Sequence, residues 1–526
     1  MRVGVDVGGT NTDAVLVDAG RVVASVKRLT TADVSEGIRE AIAVLLSESG
    51  VPATEIDSVM IGTTHFTNAF VQAVGLARVA AIRIGFPAAR SIPPFAAWSP
   101  MLRDAVRGPI AMIAGGFQFD GRTISPLDEP ALRIMARRIA DEGITEVAVV
   151  SIFAQVNAEH EQSAAAILMD EIPGISVTLS SEVGRTGLIE RENAAIMNAS
   201  LRPLANHVAR AFGHALHSLG IDAPFFVSQN DGTLMSAAHM QRYPVLTFAA
   251  GPTNSLRGAY FLTGNADALV ADIGGTTCDI GVLVGGFPRQ SSMHVDIGGI
   301  RTNFRMPDIL SLGLGGGSRV RSNGDTVTVG PDSVGYRIAN EALVFGGNTL
   351  TATDLCVAGG YGDIGDRSAV ERLDRTMVER GVVEMHRLLA DGLDRMKSSR
   401  ASMPLILVGG GSVLITRALH GISDMIRPPD AGVANAVGAA IGQVSGSVDR
   451  IYNCDQAGRD DAIADAKARA TEAAISAGAD AATIVITEVD DLPLQYLPGG
   501  ARRIVCRAVG DLANLGSSLR KDAANG

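Results

Sequence analysis

One pattern of residue types that could bind phosphate occurs twice in this 526-residue chain, as DVGGTNTD at residues 6–13 and as DIGGTTCD at residues 272–279. Two adjacent glycines allow a sharp turn and leave backbone N–H groups open to an anion, because no Cβ blocks the approach. The threonine of each copy adds a hydroxyl donor, and the leading aspartates, Asp6 and Asp272, can hold a cation that neutralises phosphate oxygens. Two matching copies far apart in the chain therefore predict two similar lobes that face one nucleotide.

Each copy lies between two apolar runs, so each predicts a strand, a glycine turn and a second strand. A third glycine-rich strand end follows the apolar residues 405–408, where GGG at 409–411 leaves the backbone bare for a flat adenine to lie against. The sequence has no Gly-x-x-x-x-Gly-Lys motif, and its LGLGGGS segment at 312–318 lacks the register of a dinucleotide fold. The glycines thus favour a two-lobed nucleotide site over a P-loop or a Rossmann site.

A strand, hydroxyl-bearing residues and a helix also meet at Thr63, Thr64 and His65. The short strand at 59–62 brings these residues to a helix N-terminus, which is a common place for ligands. Two interpretations of His65 stay open: it is a hydrogen-bonded helix-cap residue, or it acts on a substrate.

Three further segments have both a chemical and a structural interpretation. AGPTNS at residues 250–255 suits a phosphate at a helix start, and turn and cap chemistry explains the same residues as well. His294 and Asp296 share one strand face, where they form either a metal pair or an exposed polar surface. Thr353 and Asp354 are the pair best suited to function within an irregular stretch rich in glycine, asparagine and aspartate.

Composition excludes several classes of protein. A net charge of −11 gives no basic footprint for nucleic acid or for an anionic membrane. The four cysteines have no short spacing, so a disulfide framework, a zinc ribbon and an iron–sulfur site are poorly supported. With 46% hydrophobic and 19% charged residues, the chain predicts a well-packed protein of two or three domains. There is no signal-peptide pattern and no apolar run of membrane-spanning length, so we expect a cytoplasmic protein.

The order of these motifs resembles the superfamily of sugar kinases, Hsp70 and actin, in which two ribonuclease-H-like lobes enclose ATP. Within it, the chain is similar to the hydantoinase/oxoprolinase family, and specifically to its ATP-dependent A, or alpha, subunits. The residues that carry the resemblance are DVGGTNTDAVLVD at 6–18, IGTTHFTNA at 61–69, AGPTNS at 250–255, DIGGTTCDIGVL at 272–283, LTATDL at 350–355 and GADAATIVITEVDDLPLQYLPGG at 478–500. The implied fold is α/β, with two lobes around an ATP cleft at residues 1–187 and 188–450 and a small C-terminal α+β appendage at residues 451–526.

The resemblance implies ATP-driven opening of a cyclic amide, such as hydantoin, N-methylhydantoin or 5-oxoproline, through phosphorylation of the amide oxygen. It assigns Asp6 and Asp272 to catalysis and to Mg²⁺ or Mn²⁺, and Thr63, Thr64 and His65 to the acceptor side. The residues assigned to ATP are Gly8, Gly9, Thr10, Asn11, Thr12, Asp13, Gly274, Gly275, Thr276, Thr277, Asp279, Gly409, Gly410 and Gly411. In relatives a second subunit carries out the hydrolysis, so the resemblance also implies a hydantoinase B-like partner, with a homo-oligomer as a further option.

Two departures from the family pattern fall where the substrate should lie. Many A subunits have a histidine directly before Gly-Thr-Thr, where this chain has Ile61, and its own histidine follows at position 65. The family's PGPACYG-like segment is matched only loosely by residues 330–347. Three alternatives therefore stay open: an ATP-dependent carboxylase subunit, a small-molecule kinase of the same fold, and a non-catalytic ATP switch in which the nucleotide moves domains.

Overall fold

The computed structural model describes residues 1–8, 11–31, 34–291, 295–303, 306–324, 326–495 and 499–513. The strands in these ranges are β1 (Arg2–Val7), β2 (Asn11–Asp18), β3 (Arg21–Leu29), β4 (Ser58–Thr63), β5 (Val79–Phe86), β6 (Arg107–Ala114), β7 (Glu146–Ser151), β8 (Ser176–Leu179), β9 (Phe225–Ser228), β10 (Thr233–Ser236), β11 (Ala268–Ile273), β12 (Cys278–Val284), β13 (Phe287–Pro288), β14 (Val295–Ile297), β15 (Ile300–Thr302), β16 (Ile309–Leu312), β17 (Ser318–Asn323), β18 (Thr326–Ser333), β19 (Met403–Val408), β20 (Ile422–Ile426), β21 (Gln443–Tyr452), β22 (Val485–Pro493) and β23 (Arg502–Gly510). The α-helices are α1 (Val34–Ser49), α2 (His65–Val71), α3 (Pro100–Val106), α4 (Glu129–Asp141), α5 (Glu159–Glu171), α6 (Ser180–Val183), α7 (Leu188–Ser218), α8 (Ala237–Arg242), α9 (Ala250–Thr263), α10 (Ile338–Glu341), α11 (Ala352–Ala358), α12 (Arg375–Met396), α13 (Ala434–Ala440), α14 (Cys454–Ala457) and α15 (Arg459–Ser476).

The first lobe is built on a nine-stranded sheet with the order β22-β23-β21-β10-β9-β4-β1-β2-β3. The first glycine motif joins β1 to β2, which pair as an antiparallel hairpin, and β4 lies parallel to β1 on its other side. Helix α1 packs on this sheet because Ile38, Ile42 and Leu45 recur at helical spacing and form one apolar stripe. These three residues belong to one fully buried cluster with Val3 and Val5 of β1.

The second lobe repeats this arrangement around the second glycine motif. Strands β11 and β12 form an antiparallel hairpin, and β19 lies parallel to β11. The sheet order is β13-β12-β11-β19-β20, with β16 also paired to β12. The amphipathic helix α12 covers this sheet with buried residues such as Val382, Met385 and Leu389. The repeat seen in the sequence is therefore a repeat of topology, with hairpin and parallel neighbour in both lobes.

A four-stranded parallel sheet with the order β6-β5-β7-β8 is inserted in the first lobe between β4 and α7. Its strands are apolar along their length because they form one buried cluster with α4 and α5. Helix α4 starts at a local signal, since the Asp128 side chain accepts a hydrogen bond from Ala131 N–H and Pro130 stands in the first turn. Strands and helices alternate along this insertion, which is usual where strands of a sheet are parallel.

Two helices rich in small residues, α9 and α13, connect the lobes. A Cβ on Gly258 would lie 1.8 Å from Ala434 O, and a Cβ on Gly438 would lie 1.8 Å from Asn254 O, so only glycine allows this approach. Helix α13 also packs on the first sheet, where a Cβ on Gly4 would lie 2.2 Å from Ala436 O. The small residues of the NAVGAAIGQ segment at 435–443 predict close helix packing, and that packing occurs between the lobes.

The α/β class with two lobes around a cleft is confirmed. The C-terminal strands β21, β23 and β22 extend the sheet of the first lobe, beside β10, and α15 covers them with a row of buried alanines. The predicted α+β appendage is therefore continuous with the first sheet. In the part of the chain that the structure describes, no helix combines the length and the apolarity needed to cross a membrane.

Candidate functional site

A cavity of about 500 Å³ opens between the two lobes, and both glycine hairpins line it. It brings together the following residues predicted from the sequence: Asp6, Gly8, Asn11, Asp13, Thr64, Asp272, Gly274, Gly275, Thr276, Thr277, Asp279, Gly409, Gly410 and Gly411. Gly9 and Thr10 lie outside the described residues. The two hairpins and the third glycine strand end thus surround one space.

Three predicted residues lie beside this cavity without lining it. Thr12 is buried, and its hydroxyl lies 3.4 Å from that of Thr30. Thr63 is buried at the end of β4, where its hydroxyl accepts a hydrogen bond of 3.1 Å from the His65 backbone N–H. His65 opens α2, directly after Thr64, which does line the cavity. Of the predicted acceptor-side residues, Thr64 reaches the cavity wall.

Equivalent backbone hydrogen bonds close the two glycine turns. Gly8 N–H donates to Asn11 O at 3.0 Å, and Gly274 N–H donates to Thr277 O at 2.9 Å. The LGLGGGS segment supports the second turn, because Gly316 N–H donates to Gly274 O at 3.0 Å. The segment therefore contacts the hairpin through main-chain atoms. This role agrees with its lack of a dinucleotide-loop register.

A row of charged side chains crosses the first hairpin and the next strand. Asp6 on β1 lies opposite Asp13 on β2, and Asp13 lies opposite Lys27 on β3. Residues directly opposite in antiparallel strands point to the same face of the sheet. All three side chains line the cavity, and Lys27 Nζ lies 2.7 Å from Asp13 Oδ1.

The second hairpin carries a related row. Asp272 on β11 lies opposite Asp279 on β12, which lies opposite Ser311 on β16. The Ser311 hydroxyl donates a hydrogen bond of 2.5 Å to Asp279. The two rows match at their aspartates and differ at their third position, where the first row has a lysine and the second a serine.

Burial raises the pKa of three of these carboxylates, those of Asp6, Asp272 and Asp279. The pKa of Asp6 rises from 3.8 to about 6, chiefly through burial and then through the charge of Asp13. Burial likewise raises the pKa of Asp279 to about 6, against the hydrogen bond from Ser311. It also raises the pKa of Asp272, against the Ser255 hydrogen bond and the charge of Lys27. Carboxylates in excess over cations make the cavity a favourable place for a divalent cation.

Three polar side chains that hold these carboxylates come from α9 and α13. Asn435 donates to Asp6 and to Asp13, at 3.0 Å each, and Asn254 donates to Asp6 at 3.3 Å. The Ser255 hydroxyl donates to Asp272 at 2.5 Å. Asn254 and Ser255 lie in the AGPTNS segment and Asn435 in the NAVGAAIGQ segment, and neither segment by itself predicts that its side chains bind these carboxylates. The signal available was that both segments combine an amide or a hydroxyl with small residues.

The second lobe contributes five apolar side chains to the cavity wall, namely Ile338, Phe345, Ile364, Val413 and Leu414. Gly409, at φ +80°, also lines the cavity beside the Asp272 carboxylate, and a Cβ there would lie 2.3 Å from Asp272 Oδ1. An apolar wall beside bare glycine backbone suits a flat aromatic base.

The remaining candidates separate into structural and cavity residues. Thr353 lines the cavity, and its hydroxyl donates to Gly316 O at 2.9 Å. Asp354 is fully buried and forms the capping box of α11 with Thr351, so it stabilises a helix start. Asp296 is exposed on the β14–β15 hairpin, and His294 lies outside the described residues, so their metal-pair interpretation stays a prediction.

The described residues contain no group of three or more His, Cys, Asp or Glu side chains arranged to hold a metal ion by themselves. Mg²⁺ in nucleotide sites usually keeps several waters and takes one or two carboxylates together with phosphate oxygens. The donor set of Asp6 and Asp272, with excess negative charge around it, therefore fits a cation that arrives with a nucleotide.

Two lobes that repeat one topology, each with a glycine hairpin that lines the same cavity, define an α/β fold with a cleft between its lobes. Residues 2–172 match the hydantoinase/oxoprolinase N-terminal region, and residues 191–363 match the hydantoinase/oxoprolinase family. The chain belongs to the hydantoinase/oxoprolinase family.

Two curated relatives each align with 68% of this chain. The chain is 28% identical over 389 residues to the acetophenone carboxylase gamma subunit of Aromatoleum aromaticum, and the aligned region covers 53% of that protein. It is 27% identical over 379 residues to the caprolactamase subunit alpha of Pseudomonas jessenii, and the aligned region covers 54% of that protein. The chain thus spans about half the length of these relatives.

Two solved structures share the fold along almost the whole chain. The ATP-dependent caprolactamase from Pseudomonas jessenii matches with a TM-score of 0.78 over 97% of this chain and 87% of its own, at 19% identity. Acetone carboxylase, in a nucleotide-free structure, matches with a TM-score of 0.67 over 98% of this chain and 88% of its own, also at 19% identity. At this identity the similarity concerns the fold.

Proposed function

We propose that this chain is the ATP-using subunit of a cyclic-amide hydrolase, and that it transfers a phosphoryl group to the amide oxygen of a hydantoin, N-methylhydantoin, oxoproline or related lactam. The single observation that carries the proposal is the pair of glycine hairpins, which line one cavity together with carboxylates that outnumber the cations in its wall. A polyphosphate and a divalent cation supply the complementary charges.

Each part of the cavity has a role in this reaction. The apolar side chains that the second lobe contributes to the cavity receive the base. The two turns present backbone N–H groups to the phosphates. Asp6 and Asp272 hold Mg²⁺ or Mn²⁺, which neutralises charge on the transferring phosphoryl group. Thr64 lies at the acceptor side of the wall, with Thr63 and His65 behind it.

The chemistry requires activation because an unstrained amide resists attack by water. A lone pair of the amide oxygen forms the new bond to the γ-phosphorus, the bond to the β–γ bridging oxygen breaks, and ADP leaves with that electron pair. The amide carbon, which now bears a phosphorylated oxygen, is then a better electrophile for water. The chain's task is to hold the two oxygens in line with phosphorus and to exclude bulk water.

The test measures ADP release with a panel of cyclic amides, namely hydantoin, N-methylhydantoin, 5-oxoproline and caprolactam. We expect one of them to stimulate ADP release, and we expect ring-opened product when a hydantoinase B-like partner subunit is present. Asp6→Asn and Asp272→Asn should abolish this stimulation and keep the fold, as checked by circular dichroism. ADP release that no cyclic amide changes, with or without the partner, would contradict the proposal.

A carboxylase subunit is the second candidate, because the acetophenone carboxylase gamma subunit is as similar in sequence as the caprolactamase subunit alpha. The same cavity would then phosphorylate a ketone-derived or bicarbonate oxygen. The two candidates differ in which compound stimulates ADP release. Stimulation by bicarbonate with a ketone, and by no cyclic amide, would favour the carboxylase.

A further inference from the structure

Lys27 is the part of the cavity that the duplication does not repeat. It occupies the third position of the first row, where the second row has Ser311. Within the described residues, it is the only lysine or arginine side chain that lines the cavity. A cation at this position adds a charged donor for an anion beside the backbone N–H groups of the first hairpin.

The placement of Lys27 leaves its ammonium group accessible from the cavity. Its side chain is 39% exposed, whereas that of its partner Asp13 is 4% exposed. Lys27 Nζ forms an ion pair with Asp13 Oδ1 at 2.7 Å, and an ammonium group has three N–H donors, more than one carboxylate oxygen can use. The charge of Lys27 also acts on Asp272, on the opposite lobe, so it stands close to the space between the hairpins.

The two lobes line the cavity with different groups, and this difference bears on which phosphate Lys27 meets. The five apolar side chains named above and the Gly409 strand end belong to the second lobe, where Gly409 lies against the Asp272 side chain. With the base held by these groups of the second lobe, the part of the nucleotide left for the first lobe is the far end of its phosphate chain. Gly8, Asn11 and Lys27 of the first lobe are then the groups available to the terminal phosphate.

The choice of lysine is unusual for this chain. Of its 45 lysine and arginine residues, four are lysine: Lys27, Lys397, Lys467 and Lys521. Arginine would form a planar fork with the Asp13 carboxylate, whereas an ammonium is a compact charge whose donors can be shared between a carboxylate and a phosphate. A lysine opposite Asp13 thus keeps donors available for a ligand.

We propose that Lys27 binds the terminal phosphate of ATP and stays bound to the phosphoryl group during its transfer. The proposal rests on the nucleotide part of the function proposed above, and it does not depend on the acceptor. In the transfer, the bond from the γ-phosphorus to the bridging oxygen breaks and the bond to the acceptor oxygen forms. Lys27 contributes charge and hydrogen-bond donors to this step and no proton transfer.

The first test compares the affinities of ATP and ADP by titration calorimetry with Mg²⁺, for the wild-type protein, Lys27→Met and Lys27→Arg. We expect Lys27→Met to weaken ATP binding about 10- to 100-fold and ADP binding less than about 3-fold, because the charged contact is to the phosphate that ADP lacks. Lys27→Arg should restore part of the ATP affinity. Equal losses for ATP and ADP, or a fall in thermal stability with an unchanged ATP/ADP ratio, would overturn the proposal and leave Lys27 as a counter-ion of Asp13.

The second test uses the wild-type protein and so does not depend on the folding of a variant. Pyridoxal 5′-phosphate with borohydride labels lysine amines, and peptide mapping reads each site. We expect ATP to protect Lys27 more strongly than ADP does, whereas labelling of the exposed Lys467 on α15 should be the same in both. Equal protection of Lys27 by ATP and ADP would overturn the proposal. Neither test contains a cyclic amide, so failure of the proposed amide chemistry would leave both readouts unchanged.

Discussion

Asn435 donates its side-chain amide to Asp6 and Asp13 at once, at 3.0 Å each. Removing this amide leaves two neighbouring carboxylates with fewer donors and less separation of their charges. We therefore expect Asn435→Ala to lower the free energy of unfolding by about 1–3 kcal/mol. The measurement is urea unfolding followed by circular dichroism. Asn206→Ala, at an exposed position of α7, is the matched control and should stay within about 0.5 kcal/mol of wild type. Equal midpoints for both variants would contradict a stabilising role of the bridge.

Glu146 gives a second prediction at the scale of a residue, away from the cleft. Burial raises its pKa from 4.5 to about 7, against the charge of Arg202 and a hydrogen bond from Ser176. Between these two pH values the native state holds a proton that the unfolded state has released. The unfolded state therefore binds fewer protons, and stability falls as the pH rises from about 4.5 to 7.

The measurement is the urea midpoint at pH 5, 6, 7 and 8 for the wild-type protein and for Glu146→Gln. The glutamine carries no titrating group, so its curve should be flatter through this window. Its advantage over the wild-type protein should grow with pH and become constant above pH 7. Parallel curves for the two proteins would show that Glu146 does not control this pH dependence.

At the scale of elements, the sequence predicted the parts of the fold that are encoded locally. Each Asp-x-Gly-Gly-Thr segment forms the expected hairpin because glycine turns and flanking apolar runs lie within a few residues of each other. The long helix expected at 188–220 is α7, at Leu188–Ser218. The Gly409 strand end lies beside the second hairpin, as the superfamily order of motifs implied.

The sequence did not predict features that depend on pairing across the chain. Lys27 was missed because β3 alternates like an ordinary solvent-facing strand. Its signal was the register across the β2–β3 turn, which places it opposite Asp13. Asn435 was missed because its segment indicated helix packing alone, and its contact with Asp6 joins residues 429 positions apart. The pairing of β21 with β10 is of the same kind, since it joins a C-terminal strand to the first lobe.

The helix pair α9 and α13 gives a prediction at this scale. A Cβ on Gly438 would lie 1.8 Å from Asn254 O, which is main chain and cannot rotate away. Gly438→Ala should therefore separate the helices and lower stability by about 2–4 kcal/mol. It should also weaken nucleotide binding, because these helices carry the side chains that hold Asp6 and Asp272.

Gly213→Ala on α7 is the matched control for this variant. A Cβ at Gly213 meets nothing within 4 Å, so helix propensity alone should act and should raise stability by about 0.5–1 kcal/mol. Thermal unfolding of both variants and calorimetric titration with ATP provide the two readouts. A Gly438→Ala protein as stable as the wild type, with normal ATP affinity, would show that the helix contact can relax without cost.

At the scale of the whole molecule, the chain returns from the second lobe to the first, and its C-terminal strands complete the first sheet. This arrangement makes the segment from β21 to β23 part of the first lobe's core. We predict that a chain ending at residue 442 does not form a stable first lobe, because β10 would lose β21, one of its two neighbours, and the cluster under α15 would be lost. Soluble yield and urea unfolding measure this outcome. A truncated protein with the wild-type midpoint would mark the C-terminal segment as an independent unit.

A single buried ion pair tests the same continuity without removing any strand. Arg507 on β23 lies 2.7 Å from Asp231, which precedes β10, and both side chains are at most 10% exposed. Arg507→Met would leave the Asp231 carboxylate buried without its cation, so we expect a loss of about 3–5 kcal/mol in the stability of the first lobe. Arg469→Met removes the partner of the half-exposed Asp465 and should cost less than about 1 kcal/mol.

If the C-terminal strands belong to the core of the first lobe, Arg507→Met should lower the unfolding midpoint reported by Trp98, which lies in that core. A change confined to far-ultraviolet circular dichroism, with the tryptophan signal unaffected, would contradict this prediction.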